Sequence, residues 1–102
     1  MMKSFGDMMK QAQKVQKQMS DLQERLTEER YEATAGGGLV KAVVDGKQTL
    51  KELKLSPDLL KDNDVTLIED LVMTAIGDAQ RSSAEKMAAE YAKLTGGFKL
   101  PI

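Results

Sequence analysis

A chain of 102 residues with 41% apolar and 30% charged side chains has the size of one domain and the composition of a soluble, folded one. It contains no cysteine and no histidine, which excludes disulfides, thiol chemistry, the usual zinc sites and histidine acid–base catalysis. The formal net charge is −1, so any affinity for a polyanion must come from how charge is distributed; apolar runs of at most three residues exclude a membrane span or secretory core and make the cytoplasm the expected location.

Residues 3–29 carry a helical pattern. Phe5, Met8, Ala12, Val15, Met19, Leu22 and Leu26 follow alternating steps of three and four, which places them on one stripe of a helix that packs against another. The methionines of that stripe read as packing residues. Ser4 is the expected N-cap, with Asp7 three residues on. Charge is segregated along the helix. Residues 1–20 hold four lysines against one aspartate, a balance of +3, whereas residues 21–32 hold five acids against two arginines, a balance of −3. Lys3, Lys10, Lys14 and Lys17 step by 7, 4 and 3 and so share the face opposite the apolar stripe.

Tyr31 to Ala35 alternates weakly and is expected to be a strand. Gly36-Gly37-Gly38 suits a reversal of direction. Leu39–Asp45 and Gln48–Leu55 flank Asp45-Gly46, a pair that predicts a tight hairpin with positive φ at Gly46. The Leu39–Asp45 strand is apolar on both faces, with Leu39 and Val43 on one and Val40, Ala42 and Val44 on the other. In the next strand Leu53 and Leu55 share a face and Leu50 takes the opposite one. Two helices cover one face of a three-stranded sheet, so the second apolar face predicts a partner subunit. The expected interface residues are Leu39, Val40, Val43, Val44 and Leu50.

Ser56-Pro57-Asp58-Leu59-Leu60 reads as a short capped helical turn. Residues 64–94 form the second long helix, capped by Asp64 or Thr66 and ended by Thr95-Gly96-Gly97. Large apolar residues crowd its first half and predict deep burial there; alanines dominate the second half. Strands of about 20 Å are half as long as helices of about 39 Å, so the basic start of the first helix and the alanine-rich end of the second are expected to project as an antiparallel arm. Residues 98–102 make a short tail. The fold class is thus α+β: long helix, three-stranded antiparallel sheet, long helix.

Ala35-Gly36-Gly37-Gly38-Leu39-Val40-Lys41, Leu53-Lys54-Leu55-Ser56-Pro57-Asp58-Leu59-Leu60, Glu69-Asp70-Leu71-Val72, Asp78-Ala79 and Leu94-Thr95-Gly96-Gly97, in this order, resemble the YbaB/EbfC family of small bacterial nucleoid-associated proteins. The resemblance spans almost the whole chain. It implies a homodimer whose protruding helices grip double-stranded DNA, and a location at the nucleoid.

The residues expected to touch DNA are Lys3, Lys10, Lys14 and Lys17, together with Arg81, Lys86 and Lys93 on the outer half of the second helix. Asp78, Glu85 and Glu90 interleave with the latter three and offer intrahelical ion pairs instead. Lys41, Lys47, Lys51 and Lys54 read as edge protection for the sheet. Asp62-Asn63-Asp64 lacks the glycine and distal glutamate of a calcium loop. The glycine triplet lacks the lysine of a phosphate loop. No catalytic residue, metal, cofactor, small-molecule substrate or membrane partner is expected. The reading is a DNA-binding protein that contacts phosphates with little sequence specificity. Its rival is a protein-interaction module whose helical arms clasp a protein partner.

Overall fold

The computed structural model describes residues 4–94. The order is α1 (Phe5–Glu28), β1 (Tyr31–Ala35), β2 (Val40–Val44), β3 (Leu50–Leu55), a 3-10 turn (Pro57–Leu60) and α2 (Val65–Leu94). The strands form one antiparallel sheet in the order β1-β2-β3. The molecule is long and thin, 72 × 28 × 16 Å. Helix starts follow side-chain chemistry. Ser4 Oγ accepts from Asp7 N–H at 3.2 Å, Ser56 Oγ from Asp58 N–H at 3.3 Å, and Asp64 Oδ1 from Leu67 N–H at 3.1 Å. Asp64 is therefore the cap of α2, and Thr66 lies inside the helix. The expected glycine stop after Leu94 and the tail 98–102 lie outside the described residues.

α2 packs on β1 and β2 and closes the core of Ala35, Val40, Ala42, Val44, Leu59, Ala75 and Ala79. Burial along α2 falls mainly in its first half, as expected, but small residues rather than large ones go deepest. Its buried residues are the small Ala75, Ala79 and Ser83, whereas Leu67 is 44% and Met73 72% exposed. Small side chains let the helix axis approach the sheet closely. The larger Ile68, Leu71, Val72 and Ile76 then wedge in only partly, beside that line.

The sheet's second face is not apolar. The register pairs Glu32 with Val43, Thr34 with Lys41, Val43 with Glu52 and Lys41 with Lys54. Residues opposed in this way share a face, so Val43 sits within a polar ladder held by Lys41–Glu32 (3.8 Å) and Lys54–Glu52 (3.0 Å) ion pairs. Hydrogen bonding and charge from Lys54 hold the Glu52 carboxyl below its ordinary pKa. A bulge is a second departure from expectation. Between Val43 and Val44 the register slips, so Val44 opposes Leu50 while Val43 opposes Glu52. The extra residue, Lys51, rotates Leu50 onto the same face as Leu53 and Leu55 rather than the opposite one.

The β2–β3 connection also differs from the predicted two-residue turn. Gly46 does not have a positive φ; the left-handed residue is Gln48, at φ 69°. Gln48 N–H donates to Asp45 C=O (3.1 Å) and Asp45 N–H to Thr49 C=O (2.9 Å), the pattern of a longer hairpin loop closed by one left-handed residue. Asp45 is 2% exposed, and its carboxylate accepts from the Lys47 and Thr49 N–H groups at 2.8 and 3.0 Å. Ser83 Oγ of α2 donates to Asp45 C=O at 2.7 Å. Gly46 N–H donates to Leu26 C=O of α1 at 2.7 Å. The loop thus ties both helices to the sheet. Asp45→Ala would leave two N–H donors without their acceptor and should cost about 2–3 kcal/mol, read as a fall in the urea midpoint at constant slope.

Candidate nucleic-acid interface

α1 is exposed along its first seventeen positions, 5–21, and only Leu22 and Leu26 are buried on it. Its second half lies against the outer end of α2, where Leu94 reaches the level of Gln18, Leu22 and Arg25. Beyond that level the first half of α1 has no neighbour among the described residues. Two consequences follow. The stripe expected to pack stands open, with Phe5 78%, Met8 58%, Val15 50% and Met19 39% exposed. On the opposite face Lys10, Lys14 and Lys17 are exposed and make no ion pair or hydrogen bond among the described residues. They span about 10 Å of helix, at about 1.5 Å per residue.

The other candidate cations are differently placed. Lys3 lies outside the described residues. Arg81 pairs with Asp78 at 3.1 Å. Lys86 and Lys93 both converge on Glu90, at 3.1 and 3.8 Å, and Arg25 of α1 reaches the same carboxylate at 3.0 Å. The i, i+3 and i, i+4 spacings made the pairs within α2 legible; the bridge from Arg25, 65 residues away, had no local signal. The hydrogen bond from Lys86, followed by the charges of Lys93, Lys86 and Arg25, holds the Glu90 carboxyl below its ordinary pKa. A lowered folded-state pKa adds stability that is complete above the unfolded value of about 4.5 and is lost as the pH falls through the folded one. Glu90→Gln should therefore lower the unfolding midpoint at pH 7 and shrink the drop between pH 7 and pH 4. An unchanged pH profile would show that the cluster does not clamp the two helices.

Of the residues expected at a subunit interface, Val40 and Val44 are 0% exposed inside the core, occupied by α2 of their own chain. Val43 is 8% exposed, Leu39 partly buried and Leu50 40% exposed. Sequence reasoning did not single out Leu53 and Leu55, which are 39% and 42% exposed and, with Leu50, line the face of β3 that α2 leaves uncovered.

The chain matches the YbaB/EbfC DNA-binding family over residues 2–98. It belongs to that family. A nucleoid-associated protein of Desulforamulus reducens is 46% identical over 98 residues, covering 96% of this chain and 93% of the relative. One from Thermoanaerobacter pseudethanolicus is 43% identical over 98 residues, covering 96% and 88%. Among solved structures, an uncharacterized protein of Helicobacter pylori superposes with a TM-score of 0.85 at 20% identity, over 92% of this chain and 99% of that one, which establishes the shared fold. Among the described residues no helix is long and apolar enough to cross a membrane.

Proposed function

We propose that this family member binds double-stranded DNA at the nucleoid as a homodimer, by contacts to phosphates with little sequence reading. The observation that carries this reading is the row Lys10, Lys14, Lys17: three exposed cations on a projecting helix that make no ion pair among the described residues. Their span of about 10 Å matches about three phosphates at 3.4 Å of duplex axis per strand. Arg25 and Arg81 are held by Glu90 and Asp78, and the exposed Phe5 belongs to the opposite, apolar stripe of α1, which favours phosphate contacts over bidentate base recognition or stacking. The names of the relatives support a nucleoid location, and the matching family model is a DNA-binding one. Random duplex in a gel shift should be bound, and an unrelated duplex should compete as well as the first. Recovery of a tightly held protein partner with no duplex binding would favour the protein-clasping alternative.

The dimer reading rests on the uncovered face of β3. Leu50, Leu53 and Leu55 line an edge strand, and Val65, Leu67 and Met73 stay exposed on the first half of α2. A second copy supplies an identical apolar surface that excludes water from the first. Light scattering at micromolar concentration should give twice the chain mass of 11.2 kDa, and Leu50→Lys with Leu53→Lys should halve it. A folded wild-type monomer at that concentration would contradict the dimer.

A further inference from the structure

Three cations of the arm share one carboxylate. Lys86, Glu90 and Lys93 step by four and three along one face of α2, and Arg25 of α1 meets that face across the seam between the helices. The acid is the inner member of the cluster. Its side chain is 15% exposed, whereas those of Lys86, Arg25 and Lys93 are 46%, 59% and 72% exposed. All three cations therefore stand where a polyanion arriving from solvent would meet them. Lys93, at 3.8 Å, is beyond hydrogen-bond length from Glu90. Ion pairs this exposed are weak, so the cations can turn outward once Glu90 loses its charge.

The place of the cluster along α1 links it to the lysine row. Arg25 follows Lys14 by eleven residues, about three turns, so the two lie on one line along the helix about 16 Å apart. Lys17, Asp21 and Arg25 follow one another at steps of four. The line thus runs through lysines that make no ion pair among the described residues, then one acid, then cations that Glu90 already holds. About five phosphates of one strand fit in the distance from Lys14 to Arg25, so a duplex lying along the row passes the cluster.

We propose that Glu90 restrains the phosphate-binding surface of the arm: it neutralises Arg25, Lys86 and Lys93 and so limits each protomer's contacts to Lys10, Lys14 and Lys17. The proposal rests on the phosphate reading of that row. The carboxylate offers these cations what a phosphate would, oxygens that accept from guanidinium and ammonium groups. Removing its charge leaves three cations on the exposed side of the seam. Asp21 remains beside Arg25 and Leu94, so the gain falls short of three full contacts per protomer.

Titration of Glu90→Gln with random duplex over a series of salt concentrations tests this, with helicity at the assay temperature confirming that the variant is folded. The slope of log affinity against log salt should steepen from about −5 to about −7 or beyond, and affinity at 0.1 M salt should rise at least about tenfold. Glu24→Gln with Glu28→Gln removes two acids of α1 outside the cluster and should give a smaller rise. Adding Lys86→Gln and Lys93→Gln to Glu90→Gln should return affinity to the wild-type level or below. A purely structural clamp would move the unfolding midpoint and leave the salt slope where it was. A slope within about one unit of wild type, a rise no larger than the control's, or a gain that survives the lysine changes would overturn the proposal.

The wild-type protein supplies a second readout that needs no substitution at Glu90. Brief labelling with an amine-reactive reagent, with and without duplex, should show Lys10, Lys14 and Lys17 protected by DNA, and Lys86 and Lys93 labelled equally in both. Protection of Lys86 and Lys93 as strong as that of the row would overturn the restraint. Wild-type protein that fails to bind duplex defeats the phosphate reading and the restraint together. Salt-dependent wild-type binding with an unmoved Glu90→Gln slope defeats the restraint alone.

Discussion

Changing Lys10, Lys14 and Lys17 together to glutamine should weaken duplex binding at least about a hundredfold at 0.1 M salt, by the same factor for every sequence. The three ammonium groups are exposed and make no ion pair among the described residues, so no described contact depends on their charge. Glutamine keeps the length and helix preference of lysine. The unfolding free energy should then change by about 0.5 kcal/mol or less, and the dimer mass should not change. The contrast variant lies on the acidic half of the same helix. Glu24→Gln with Glu28→Gln should leave affinity equal or slightly raised. A triple variant that binds as tightly as wild type would reduce the lysine row to a solvated surface.

Gly46→Val should destabilise the fold by about 3 kcal/mol, and Gly46→Ala by nearly as much. A Cβ at this position would stand 2.6 Å from Leu26 O and 2.9 Å from Leu26 Cα. Both are backbone atoms of α1 and cannot swing aside. Moving the helix away would also lengthen the 2.7 Å bond from Gly46 N–H to Leu26 C=O and lift Leu26 from its fully buried seat. The alanine variant separates two explanations. Because φ is not positive at Gly46, chain entropy alone predicts that alanine stabilises by about 0.4–1 kcal/mol. Close approach predicts the opposite sign. Urea unfolding at one fixed protein concentration decides between them.

Gly46 also illustrates what the sequence could and could not reveal. Asp-Gly between two apolar runs located the hairpin, and the 3–4 spacing, Ser4, Ser56-Pro57 and Asp64 located the helices, because these signals are local. The loop's true geometry depended on Leu26 and Ser83, which meet Asp45-Gly46 only in the folded chain. The bulge at Lys51 left no local trace, and it changed the face of Leu50. Counting apolar residues put the deepest burial of α2 in its large side chains, yet the close line of Ala75, Ala79 and Ser83 sets how near the helix sits. At the candidate interface the lysine row was legible because helical spacing alone defines its face. The capture of Lys86 and Lys93 by Glu90 was half legible, and the contribution of Arg25 was not.

The central claim is that phosphates, rather than bases or a protein surface, are what the arms hold. A titration of wild-type protein with random duplex at a series of salt concentrations tests it most directly. If three lysines from each of two protomers neutralise about six phosphates, log affinity should fall against log salt with a slope near −5. A slope near zero, or no duplex binding at low salt, would contradict the account.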